Sequence, residues 1–167
     1  VDDSSVAAVN VLPLPTVMFP GTQVPEPFMA SGTGWQMRAV AVFHDGSTQD
    51  VTNVRGMAWS TADATVAIID SVAGRLTTTG PGSTTITATL GSKPGSTPLN
   101  VGNAQLELLV VAPNGATVAQ GAMQNVVAVV TFLAADNRTV FQQDVSEFAL
   151  WNSDNPSVAT VGDLVGL

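Results

Sequence analysis

The groups in this 167-residue chain that could do chemistry are one histidine, thirteen acidic residues and no cysteine. His44 stands beside Asp45–Gly46, a tight-turn pair. A metal site built on imidazole needs further histidines or thiolates at defined spacing, and a Cys–His nucleophile needs the cysteine. The sequence has neither. A Ser-His-Asp arrangement would have to be assembled from turn residues without a nucleophile-elbow motif. The glycines of "GTGW" (32–35) and "GPGS" (80–83) are followed by no helical pattern, so they make no phosphate cradle. The chain reads as a non-enzyme without a cofactor.

The carboxylates raise one further question. Asp45, Asp50, Asp63 and Asp70 lie near turns, as do Asp136, Asp144, Asp154 and Asp163. Calcium takes roughly six to eight oxygens, and joints between extracellular domains sometimes supply them. The stretch Asn100–Ala104 is the candidate place. No EF-hand or repeat calcium motif is present, however, and Asp or Asn in a turn is explained by bonding to its own backbone. The expectation is no metal, with calcium at this junction as the competing reading.

These groups must sit on some scaffold, and composition limits which. The chain is 45% hydrophobic but only 11% charged, so its exposed residues are mostly Thr, Ser, Asn, Gln and Gly. Valine and threonine suit a pleated, half-buried strand, and 15 Gly with 10 Pro supply turns. A net charge of −8 with five basic residues disfavours nucleic acid and anionic membrane surfaces. No apolar run is long enough to span a bilayer as a helix. The start "VDDSS" carries no signal-peptide pattern and reads as a mature or trimmed segment.

Period-2 alternation predicts strands at 6–13, 15–21, 35–43, 49–54, 57–61, 65–70, 74–79, 83–90 and 97–102. The clearest is "STTITATL", with Ile86, Ala88 and Leu90 on one side and Thr85, Thr87 and Thr89 on the other. "GSKPGS" (91–96) reads as the turn after it. "TQVPEPFMASGTG" (22–34), rich in Pro, Gly and Ser, reads as an exposed loop. From residue 104 the pattern restarts. "AQLELLVVAP" echoes "VAAVNVLP", "QNVVAVVTF" echoes "QMRAVAVF", and "ALWNSDNPSVATVG" echoes "MAWSTADATVAIID". The offset is 113 − 13 = 100 at the prolines, 132 − 43 = 89 at the phenylalanines and 151 − 59 = 92 at the tryptophans. The first copy therefore carries an insertion, placed at 22–34. Trp59 and Trp151, each before a polar turn, are predicted core rings whose indole N–H reaches a backbone acceptor. Trp35, bordering the insertion, is expected to pack locally, with ligand contact as the competing reading, and Phe28, within the insertion, is the other candidate ligand contact.

Residues 43–90 resemble a bacterial immunoglobulin-like domain of group 2. The matching motifs are Asp45–Gly46–Ser47, Asp50–Val51–Thr52, Trp59–Ser60, Val66–Ala67, Gly74 and Gly82–Ser83–Thr84–Thr85–Ile86–Thr87–Ala88. The resemblance implies an all-β chain of two tandem immunoglobulin-like β-sandwiches, 1–103 and 104–167, with a linker near Gly102–Asn103. The second matches through "DNPSVATVGDLVGL" and lacks a counterpart of the last strands. The open edge there has two readings: residue 167 ends a fragment of a longer chain, which is the preferred one, or another chain completes the sheet by adding a strand. The resemblance further implies a non-enzymatic extracellular module on a bacterial surface that supports adhesion or recognition, with other protein subunits or surface glycans as partners. The alternatives are a decoration of a phage virion and a carbohydrate-binding accessory of a secreted enzyme.

Overall fold

The computed structural model describes residues 5–162 except 13, 15, 18–20 and 22–25. Among them every regular element is a strand. The first copy supplies β1 (Val6–Val11), β2 (Thr16–Val17), β3 (Glu26–Ala30), β4 (Gly34–Gln36), β5 (Ala39–Phe43), β6 (Thr48–Asp50), β7 (Met57–Thr61), β8 (Ala67–Ile69), β9 (Arg75–Thr78), β10 (Gly82–Leu90) and β11 (Lys93–Gly102). The second supplies β12 (Ala104–Ala112), β13 (Val127–Ala134) and β14 (Val140–Asp144). They form four sheets, ordered β1-β5-β6, β2-β3-β11-β10-β7, β4-β9-β8 and β12-β13-β14.

Alternation decides what is inside. On β10, Ile86, Ala88 and Leu90 are buried, and the threonines between them face outward. Val6 and Val9 of β1, Ala39 and Ala41 of β5, Trp59 of β7, and Leu99 and Val101 of β11 close on them, with Met29, Met37 and Leu76 filling the rest. Sheets stacked around one apolar layer in this way make a β-sandwich. β11 crosses β1 so closely that a Cβ at Gly95 would overlap the Val9 carbonyl.

The β10–β11 hairpin is longer than its sequence suggests. Register runs from Gly82↔Val101 to Leu90↔Lys93, so the predicted six-residue turn contracts to Gly91–Ser92. Pro94 and Pro98 do not break β11, because its other edge is paired only from Asn100 to Gly102. The predicted strand 35–43 is divided into β4 and β5, which join different sheets.

The predicted loop 22–34 needs correction. Thr22–Pro25 lie outside the described residues, but Glu26–Ala30 is a strand that pairs in parallel with β11. Met29 points into the main core, and Phe28 and Ala30 are buried on the other side.

The repeat is visible in the hydrogen bonds. In the first copy the Ala39 N–H donates to Thr52 Oγ1 at 3.0 Å, and in the second the Ala128 N–H donates to Ser146 Oγ at 2.8 Å. Val51 donates to the Ala39 carbonyl as Val145 does to that of Ala128. Asp50 accepts from the Thr52 N–H and Asp144 from the Ser146 N–H, both at 2.9 Å. Both copies also carry a bulge in the first strand, between Val6 and Ala8 and between Leu106 and Leu108. They diverge before Trp151, since Trp59 lies on β7 and Trp151 on no strand. Val66–Ala67 leads into β8, whereas 145–162 holds turns but no strand.

Candidate functional site

The groups singled out for chemistry are dispersed and engaged locally. His44 lies exposed at the Asp45–Gly46 turn, in a shallow open dip with Ser5, Phe43 and Ser47. Gly46 has φ 83°, which an Asp-Gly turn requires. Asn137 (φ 53°) takes the same role after Asp136. Asp45 accepts from the hydroxyl and N–H of Ser47, and Asp63 likewise from Thr65. Asp70 accepts from the N–H groups of Val72 and Ala73. Asp136 accepts from both donors of Thr139 and from the Arg138 N–H. These bonds hold the four carboxyls below the ordinary carboxylate range. Asp50 is lowered to about 2, first by the Arg38 guanidinium at 2.6 Å and then by Thr52.

No group of three His, Cys, Asp or Glu able to hold a metal occurs among the described residues. At the junction proposed for calcium, Asn100 Oδ1 accepts from Ser83 Oγ at 2.7 Å. Asp163 lies outside the described residues.

The two candidate ligand contacts are not a surface pair. Trp35, opposite Leu76 on β9, is half-buried and packs against the main core. Phe28 is 8% exposed and belongs to a second cluster with Ala30, Val130, Phe132, Ala134 and Phe141. That cluster joins the two copies. Phe28 meets Phe141 edge to face, with centroids 5.1 Å apart and planes at 88°, and Phe132 stacks on Phe141 at 5.4 Å. A Cβ at Gly102 would strike the Phe28 ring, so glycine there makes room for that ring on the sheet that β3 and β11 share.

A polar lock borders the aromatic cluster. Gln143, 2% exposed, donates through Nε2 to the Gly34 carbonyl at 3.2 Å and accepts from Thr33 Oγ1 at 3.3 Å. Arg75 lies over the Phe148 ring at 5.1 Å and donates to the Glu147 carbonyl at 3.2 Å. Phe148 in turn sits where a Gly34 side chain would be. The residues read as an insertion, together with those bordering them, thus build the seat for the second copy. Only Asn103 lies between β11 and β12, so the joint rests on packing rather than on a linker.

Sequence reasoning missed this joint, although a signal was present. Aligned through β13 and β5, Phe141 stands where the first copy has Ser47, and buried Gln143 stands where it has exposed Gln49. An added aromatic in one copy marks a contact the other copy lacks.

No family model matches the chain. It is 34% identical over 133 residues to ice-binding protein 1 of Shewanella frigidimarina (strain NCIMB 400), across 80% of this chain and 14% of that protein. The chain therefore spans about one seventh of this relative's length. Among solved structures, the surface layer protein SbsC, domains 1–6, aligns with 79% of this chain and 19% of its own, at 18% identity and a TM-score of 0.42.

Proposed function

We propose that this chain is a non-enzymatic structural module of an extracellular surface protein, built as a tandem of bacterial immunoglobulin-like sandwiches of group 2. Its task is to hold a recognition element at a fixed distance and angle, supporting surface adhesion or recognition with other protein subunits or glycans as partners. The observation that carries this reading is the Phe28–Phe141 joint. It buries aromatic area and a glutamine between two copies that a one-residue connection alone would leave free to swing. The potentially reactive side chains support the same reading, since the aspartates named above bond to their own turns. So does the 34% identity over 133 residues to part of an ice-binding protein.

The test is backbone ¹⁵N relaxation. A stiff module tumbles with one correlation time for strands β3–β11 and β12–β14. Separate correlation times for the two copies would remove the basis of the proposal.

A further inference from the structure

The second sheet carries apolar side chains on both of its faces. The inner face, with Phe132 and Phe141, meets Phe28 across the joint. The outer face is turned away from that joint and from the sandwich interior. There Leu108 and Val110 of β12 pair with Thr131 and Val129, and Val140 of β14 pairs with Leu133. Register partners in an antiparallel sheet share a face. The residues that alternate with them on β13, Val130, Phe132 and Ala134, point the other way and are buried. Leu108, Val110, Val127 and Val140 are 54%, 43%, 39% and 60% exposed.

The fold does not require this. The first copy's matching sheet, β1-β5-β6, has the same register and the same bulge. Aligned through Ala8↔Val42 and Asn10↔Val40, it presents Ala8 where the second sheet presents Leu108, and Asn10 where the second has Val110. Arg38, just before β5, stands at the place of Val127 and pairs with Asp50 at 2.6 Å. The second copy keeps the acid as Asp144, bonded by Ser146, but has no cation at the place of Arg38. At three positions a small or polar side chain thus gives way to a larger apolar one, on a surface that the sandwich's own packing does not use.

We propose that this outer face docks against the same face of a second copy of the chain, the two sheets packing face to face about a two-fold axis. A two-fold contact sets one patch against itself, so an apolar face is its own complement, and alternating side chains of two aligned sheets interdigitate. Asp144 is the only charged residue among those paired on this face, so a strongly charged partner would find no counter-charges there. The area fits as well. Four side chains near half exposure and their partly covered neighbours offer on the order of 500 Å² per copy, and a pair buries on the order of 1,000 Å², the low end for a specific interface. Such a contact is weak singly and gains by avidity where copies stand side by side on one surface. In that last respect the proposal rests on the surface-module reading above.

The test is sedimentation velocity of the 167-residue chain over a range of concentrations. The expected result is a concentration-dependent monomer–dimer equilibrium. It should tighten as salt rises from about 0.01 M to about 0.15 M, because the contact is apolar while each copy carries a net charge of −8 that salt screens. Substituting Leu108→Ala, Val110→Asn and Val127→Arg together gives the second sheet the outer face the first already carries. It should weaken dimerisation about tenfold or more. Leu109→Ser, on the inner face of the same strand, should leave dimerisation unchanged. Nuclear Overhauser contacts between Phe28 and Phe141 check that each variant keeps its fold. A chain that stays monomeric at the highest concentration and salt would overturn the proposal. So would a dimer that survives the triple substitution, or one that Leu109→Ser dissolves. Failure of the surface-module reading shows separately, as two correlation times in the dilute monomer, whichever result sedimentation gives.

Discussion

The edge of one phenylalanine ring, Phe28 or Phe141, meets the face of the other at 88°, and this contact ties an insertion in the first copy to the second copy's sheet. Such a geometry is worth more than its buried area alone.

Replacing Phe28 by alanine should therefore destabilise the second copy more than the first. Removing a buried phenylalanine costs about 3 kcal/mol, and here the cavity opens between copies. Calorimetry should show one cooperative transition split in two, with the lower-temperature part assigned to 104–162 by hydrogen exchange. A single transition at an unchanged midpoint would contradict the account.

Gly34→Ala tests the other end of the joint without removing an aromatic. The new methyl would occupy the Phe148 ring position, so the ring must leave and Arg75 loses its stacking partner. The expected readout is a loss of about 1–3 kcal/mol, the usual range for overpacking. Nuclear Overhauser contacts from Phe148 to β4 should vanish while the first copy's core remains unchanged.

The two tryptophans should respond unequally. Trp59, 3% exposed, donates to the Thr52 carbonyl at 3.2 Å, and a Cβ on Gly74 would touch its indole. Trp151 makes the matching bond to the Ser146 carbonyl at 2.9 Å but is only half-buried. Trp59→Phe should cost about 2 kcal/mol, through lost volume and an orphaned buried acceptor. Trp151→Phe should cost under about 1 kcal/mol, because water can replace the donor. Equal costs in urea titrations would show that the second ring is more deeply enclosed.

Stability should be insensitive to pH until the acid range. Asp45, Asp50, Asp63, Asp70 and Asp136 all have carboxyls held below the ordinary carboxylate value of 3.8 by the bonds they accept. A folded-state value below the unfolded one means the stabilisation is complete above the unfolded value and is lost as pH falls toward the folded one. For Asp50 that window runs from 3.8 down to about 2. The thermal midpoint should be flat from neutrality to about pH 4 and fall between about pH 4 and pH 2. Asp50→Asn should lower it at neutral pH and converge with the parent near pH 2. A decline beginning at pH 6 would require a different titrating group.

Much of this was legible in the sequence, because it is local. The alternation of Ile86, Ala88 and Leu90 with threonines fixes which face of β10 is inside. The Asp-x-Thr and Asp-x-Ser phrases carry their own hydrogen bonds, and the repeated tryptophans find the predicted acceptors. Residues 26–30 were illegible for the opposite reason. Pro25 and Pro27 read as loop punctuation, and the partner that makes this segment a strand is β11, distant in sequence and parallel. Phe28, a candidate ligand contact by sequence, is covered by Phe132 and Phe141 across the joint, and no pattern local to 26–30 says so.

Because the chain contains no cysteine, two can be introduced alone for spin labels, at exposed Ser96 on β11 and exposed Gln142 on β14. Double electron–electron resonance between them measures the rigidity of the joint directly. A stiff module gives one narrow distance distribution that broadens in Phe28→Ala. A broad distribution in the otherwise unaltered chain, indifferent to Phe28, would contradict it.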